Sequence, residues 1–366
     1  MIENVYEKLA KRLDSLPEGF PATTNGVEIR ILEYLFTPQE AELATKLNTK
    51  LENARQIQER LGGNLEYLKD QLKGMARKGL IRMGKAQAGG LGYGLLPFVV
   101  GIYEMQAESL DITLANLFEE YYHQAFATIT AIEPKFHRVI PVGESIRNDM
   151  SIEPFENAAT IIENAKAWGV TQCICRQQKA LIGDPCDHPL DVCMTFSQRP
   201  GVFDGSPVVK ALSKEEAYET LKKAADAGLV HSVSNNMEAD SYISHYICNC
   251  CTCSCGILRG ISDMKMSNVI ARSSYVNEVD PDLCVGCEIC VEYCQFSALS
   301  IRPEDPYIQI DRNGCVGCGV CIPKCPEGAL SLVRRPNDEV LNPPPTHEDW
   351  LKQRASARGL IATDEV

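Results

Sequence analysis

All 17 cysteines of this 366-residue chain fall between Cys173 and Cys325, and the first 172 residues hold none. They come in tight groups: Cys173, Cys175, Cys186 and Cys193; then Cys248, Cys250, Cys251, Cys253 and Cys255; then Cys284, Cys287, Cys290 and Cys294; then Cys315, Cys318, Cys321 and Cys325. An odd total in tight groups suits disulfide pairing poorly and points to metal or redox chemistry. The start, Met1 to Leu13, is amphipathic, carries acids and lacks the apolar core of a signal peptide. No apolar run approaches the ~18 residues of a spanning helix. The best, Leu95 to Ile102, is broken by Pro97 and Gly101. The expectation is a cytoplasmic protein with no membrane span. A net charge of −13 argues against wholesale binding to nucleic acid or anionic membrane, though not against a local basic face.

The length allows two or three domains, and the patterning suggests an α+β chain. Val27 to Leu35 is apolar at helical spacing. Thr37-Pro38-Gln39-Glu40 is a helix start, with Thr as N-cap, Pro in first position and Glu three residues after the cap. A further helix is expected over about Asn64 to Lys78, with Leu65, Leu68, Leu72 and Met75 on one face and Gly79 ending it. Leu80 to Met83, the turn-rich Gly84 to Gly94, and Leu95-Leu96 then read as strand, glycine tip, strand. The run Gly89 to Gly94 matches neither the dinucleotide fingerprint nor the P-loop. Leu110 to Ile129 reads as a long amphipathic helix, Arg138 to Val142 as a strand, and Glu156 to Trp168 as a helix ended by Gly169. Ser213 to Glu216 is a capping box opening a helix to about Ala227. Gly228 ends it, and Leu229 to Val233 reads as a strand. Residues 336–366, with Pro343-Pro344-Pro345, read as an exposed C-terminal tail.

Helices followed by a two-stranded wing resemble the winged-helix fold of small transcriptional regulators. The words Leu72-Lys73-Gly74-Met75-Ala76-Arg77-Lys78-Gly79-Leu80-Ile81 carry the resemblance, which implies DNA binding through the last helix before the wing. Residues 1–100 hold 14 Lys+Arg against 12 Asp+Glu. Lys69, Lys73, Arg77, Lys78, Arg82 and Lys85 cluster on and after that helix. A merely solvated face, or one that docks another protein, accounts for these charges as well.

Cys284, Cys287, Cys290 and Cys294 have the spacing C-x2-C-x2-C-x3-C, and Cys315, Cys318, Cys321 and Cys325 repeat it with Pro326 following. This resembles the bacterial two-cluster ferredoxin over about residues 278–333. The resemblance implies two [4Fe–4S] clusters, one on Cys284, Cys287, Cys290 and Cys325, the other on Cys315, Cys318, Cys321 and Cys294. Gln295 stands where the family usually has proline. Its backbone N–H is free to bond a cluster sulfur and raise the potential.

The other nine cysteines match no standard spacing. The first group is C-x-C-x10-C-x6-C and the second C-x-C-C-x-C-x-C. In an extended segment, Cys251, Cys253 and Cys255 would face one side and Cys248 and Cys250 the other. The simplest reading places one metal site on Cys173, Cys175, Cys186 and Cys193 and another on the second group, as one or two more [4Fe–4S] clusters or as zinc. His188 is a candidate nitrogen ligand or a plain surface histidine. Arg176 is placed to bond a cluster sulfur or an acid. The second half as a whole resembles ferredoxin-type iron–sulfur proteins of anaerobes.

The expected organisation is therefore a winged-helix-like domain (1–102), an α+β cysteine-rich domain (103–270), a two-cluster ferredoxin domain (271–335) and a tail (336–366). The expected function is electron transfer by a polyferredoxin, as subunit or partner of an oxidoreductase. The alternative is a redox-sensing winged-helix regulator. No flavin or nicotinamide fingerprint and no hydrolase triad mark a stand-alone enzyme.

Overall fold

The computed structural model describes residues 4–146, 152–206, 208–238 and 245–360, His245 by its backbone alone. The chain divides into two units, not the three domains and tail expected from sequence: 1–129 with 181–183 and 351–366, and 130–180 with 184–350.

In the first unit, Asn4 caps α1 (Val5–Asp14) and the helix buries Leu9, Ala10 and Leu13. α2 (Val27–Leu35) and α3 (Pro38–Ala44) follow, and Thr37 and Glu40 form the reciprocal capping box expected there. A short strand, β1 (Glu52–Asn53), leads into α4 (Ala54–Leu61), a helix not expected from the sequence. Its box is built from Asn53 and Gln56. α5 (Leu65–Arg77) buries Leu68, Leu72 and Met75, as its periodicity indicates. Gly79 ends it at φ +71°, and a Cβ there would meet the Cβ of Met105 at 2.4 Å. β2 (Ile81–Lys85) and β3 (Leu91–Leu95) form a hairpin turned at Gly89-Gly90, and β1 adds to β3, giving the antiparallel order β1-β3-β2. The strands are longer than the sequence suggested, taking in Gly84, Gly92 and Gly94.

Residues 103–129 belong to this unit rather than to a separate middle domain. The reason is an aromatic core. α6 (Ile112–Tyr121) brings Phe118 and Tyr121 against Phe20 and Phe98, and Tyr103 stacks on Phe118 at 3.7 Å. α7 (Ala127–Thr130) closes the segment.

The second unit is built on a six-stranded antiparallel sheet, order β4-β8-β9-β6-β5-β7. The strands are β4 (His137–Val139), β5 (Ala167–Thr171), β6 (Cys193–Ser197), β7 (Lys210–Leu212), β8 (Val230–Ser234) and β9 (His245–Cys250). α8 (Ala158–Asn164) and α10 (Lys214–Asp226) pack on it through Ile161, Ile162, Ala217 and Leu221, against Met194, Phe196, Val233 and Ile247. The Ser213–Glu216 capping box forms as expected. The helix expected over Glu156 to Trp168 ends at Asn164, because Trp168 and Gly169 lie in β5, where Trp168 pairs with Phe196 and Leu212. α9 (Ile174–Leu181) follows β5 directly.

After α11 (Arg259–Met264), β10 (Tyr275–Val279) pairs with β13 (Leu330–Arg334) and β11 (Leu299–Ser300) with β12 (Gln309–Ile310). Between them lie α12 (Ile289–Glu292) and a 3-10 turn, Ile322–Lys324. The segment expected to be an exposed tail is packed instead. Leu341 O accepts from Arg138, Met237 N donates to Pro344 O at 3.0 Å, and Trp350 Nε1 donates to Lys135 O at 2.9 Å. The last helix, α13 (His347–Ala357), carries Arg354, fully buried in the first unit, where it donates to Pro17 O and Ile129 O. The apolar stem of arginine buries readily once its head group finds carbonyl partners, a pairing that local sequence does not reveal. Among the described residues no helix is long and apolar enough to cross a membrane.

Candidate metal centres

All 17 cysteines lie in the second unit with free thiols. The two four-residue repeats are held in matching ways. Gly286 and Gly317 take the same positive φ, +67° and +72°, inside the first C-x2-C of each. Gly317 has no alternative, since a Cβ there would sit 2.1 Å from Tyr275 O. Ala298 N donates to Cys294 Sγ at 3.2 Å, and Ala329 N to Cys325 Sγ at 3.3 Å, each four residues past its cysteine. Asn277, on β10, gives its backbone N–H to Cys315 Sγ (3.5 Å) and its side-chain amide to Cys321 Sγ (3.2 Å). Donors aimed at sulfur suit a ligand that carries negative charge.

The chain crosses over between the repeats. Cys284, Cys287, Cys290 and Cys325 line one cavity. Cys294 lies beside Cys315, Cys318 and Cys321. These are the two sets that the ferredoxin resemblance implied. Burial pushes the Cys290 thiol up to about 11, and Cys325, Cys284 and Cys287 push it further in the same direction. Burial likewise pushes Cys318 up to about 12 and raises Cys321. Thiols this crowded resist ionising together unless a cation neutralises them, which is what metal binding does. The donor sets therefore fit thiolate-ligated iron.

Residues 283–329 match the 4Fe-4S dicluster domain. No curated protein matches the chain. The chain is an iron–sulfur protein carrying 4Fe–4S clusters. Eight of its cysteines lie within the matched residues.

Gln295 has a side-chain role that its sequence position does not suggest. The N–H groups directed at Cys294 come from Ala298, Phe296 and Leu299. Gln295 uses its side chain, donating to Gly228 O and accepting from Thr252 N at 2.8 Å. It thereby fastens the dicluster domain to the loop between Cys251 and Cys253.

The nine earlier cysteines assemble differently from the simplest reading. Thr171 pairs with Cys193, Met194 with Ile247, and Ser232 with Cys248. One step beyond the Met194–Ile247 pair, Cys193 faces Cys248 across β6 and β9. Cys173 and Cys175 sit just past the end of β5. The thiols of Cys173 and Cys175, Cys173 and Cys193, Cys175 and Cys255, Cys250 and Cys255, and Cys248 and Cys250 are each in hydrogen-bond contact. Six cysteines thus meet at one end of the sheet. The extended-strand argument fails past Cys250, because β9 ends there and a turn bonds Cys255 N to Cys251 O at 3.1 Å. That turn carries Cys255 to the side of Cys250 and separates it from Cys251 and Cys253.

Cys186 leaves the group to which its sequence position assigned it. It joins Cys251 and Cys253, the three sulfurs lying within 4.8 Å of one another. Arg176, almost fully buried, stands between the two assemblies. Its head group donates to Pro189 O (2.9 Å) and Asn249 O (2.7 Å) and bonds Cys251. Burial works against its charge, and Cys173, Cys251, Cys193 and Cys250 hold that charge in place. The Cys253 hydrogen bond holds the Cys251 thiol down at about 5, with Arg176 and His188 acting in the same direction.

Proposed function

We propose that this chain relays single electrons between redox partners, as a polyferredoxin serving an oxidoreductase. The observation that carries this reading is the pairing of the two four-cysteine sets in the dicluster domain, packed into one unit with the other nine thiols. Each set would hold one cubane, with Cys325 and Cys294 as the exchanged fourth ligands. The cluster supplies the redox change. The protein supplies N–H donors at Cys294, Cys315, Cys321 and Cys325 and excludes water from Cys290 and Cys321.

The first set offers an electron an exit. Cys287 is exposed, and Leu283 and Val285 beside it are 48% and 67% exposed, with Glu288 on the same loop. An apolar rim bearing a carboxylate suits transient docking of a basic redox protein. Anaerobically purified protein is expected to hold at least about eight irons with matching sulfide and to show paramagnetic reduced clusters. Cys287→Ser should remove or alter one cluster and leave the other. A wild-type protein without reducible iron would overturn the reading.

A second reading, a winged-helix regulator, draws on the order α4, α5 and a hairpin in a three-stranded sheet. The basic face is partly spent, since Lys78 pairs with Glu40 at 2.7 Å and Lys69 with Glu66 at 2.8 Å. Lys73, Arg77 and Lys85 remain exposed. Binding of duplex DNA that weakens steeply with salt and is lost in Lys73→Glu/Arg77→Glu would favour this reading. Salt-independent or absent binding is the expected result.

A further inference from the structure

We infer that Cys186, Cys251 and Cys253 hold a single zinc ion, with His188 as the fourth ligand, as a site distinct from the iron–sulfur clusters. The molecule supplies its own yardstick. A cubane takes one thiolate at each of four irons, so its cysteines stand apart. Ligands of one zinc ion share a centre with Zn–S of about 2.3 Å, so their sulfurs must crowd together. The sulfurs of Cys186, Cys251 and Cys253 all lie within 4.8 Å of one another. Among the described residues no other three cysteines, histidines or acids do so, those of the dicluster domain included.

The surroundings match. Cys186 accepts a hydrogen bond from Ser254 Oγ at 3.3 Å, which orients its sulfur. His188 lies two residues beyond Cys186 and half-buried, near enough to Cys251 to act on its charge; its ring nitrogens are not within 4.8 Å of all three sulfurs, so its side chain would have to turn inward to take the fourth position. Three thiolates and a neutral imidazole around Zn²⁺ leave one negative charge, and the buried Arg176 guanidinium bonded to Cys251 offsets it. The site also has a structural task. It joins the 186–188 loop to the turn after β9, the turn that Gln295 of the dicluster domain grips through Thr252. A closed Cys3His site of this kind contributes folding energy without redox chemistry.

The test uses the full chain purified without oxygen, with zinc, iron and sulfide measured on one sample. About one zinc per chain is expected, with zinc-edge absorption showing sulfur near 2.3 Å. Cys253 is exposed, so Cys253→Ser should fold. It is expected to lose most of the zinc while iron and cluster absorbance stay at the wild-type level. His188→Ala should surrender zinc to a chromophoric chelator at a concentration at least about tenfold lower than the wild type requires. Retained cluster absorbance in both variants shows that the fold survives. Absence of zinc from the wild type, zinc unaffected by Cys253→Ser, or loss of about four irons from that variant would each overturn the assignment.

Discussion

Replacing Arg138 with methionine is expected to destabilise the second unit by about 3–5 kcal/mol, the cost of stranding a buried charge. Arg138 is fully buried on β4. It pairs with Glu156, also fully buried, and donates to Leu341 O and to Asn235 Oδ1, the last at 3.3 Å. Glu156 in turn accepts from Ser274 N at 3.1 and 3.2 Å. One ion pair therefore joins the start of the sheet, the turn before α8, the approach to β10 and the segment after β13. Methionine fills the same space but, among the described residues, leaves the Glu156 carboxylate with only the Ser274 amide. Urea unfolding of the anaerobic protein should show the loss. The double variant Arg138→Met/Glu156→Gln should recover part of it, because no charge is then left unpaired. A loss below about 1 kcal/mol in the single variant would mean that water reaches the pair.

That pair shows where sequence reading stops. Arg138 reads correctly as a strand residue, but its partners are 18 and 203 positions away. Local signals carried what is locally determined: the capping boxes at Thr37 and Ser213, the buried face of α5, and the helix-to-strand switch at Gly228. The dicluster ligands were legible for another reason. The resemblance to two-cluster ferredoxins implies that Cys325 and Cys294 are exchanged between the repeats, and Cys325 does lie with Cys284, Cys287 and Cys290, and Cys294 beside Cys315, Cys318 and Cys321. No such resemblance places Cys186. Its position between Cys175 and Cys193 suggested one site with them, yet the loop after α9 carries it to Cys251 and Cys253. Cys255 parts from its alternating neighbours because β9 stops at Cys250, and parity holds only while a strand continues. The long-range grip of Gln295 on Thr252 was invisible, since glutamine after a ligand cysteine advertises a backbone donor rather than a side-chain clamp.

Acid should weaken the second unit through two histidines before carboxylates are titrated. His137 and His231 are buried beside the six-cysteine assembly, and burial pushes each down to about 4. His231 Nδ1 meets Asn249 Oδ1, while His137 faces Ser232 and the Tyr246 ring. Among the described residues no carboxylate bonds either ring, so nothing compensates an imidazolium there. In the unfolded chain both titrate near 6.5. The folded state then binds fewer protons than the unfolded state between about 4 and 6.5, and stability rises with pH across that window. It is fully present above about 6.5 and drains as pH falls towards 4. At pH 5 each histidine costs about 2 kcal/mol on this account, at about 1.4 kcal/mol per unit. His137→Phe keeps a ring against Tyr246 and cannot take up the proton. Urea midpoints at pH 8 and pH 5 should therefore draw closer together in this variant than in the wild type, with cluster absorbance followed to separate acid loss of iron. An unchanged gap would show that His137 stays protonated in the folded protein or is reached by solvent, and would place the acid sensitivity on the thiolates instead.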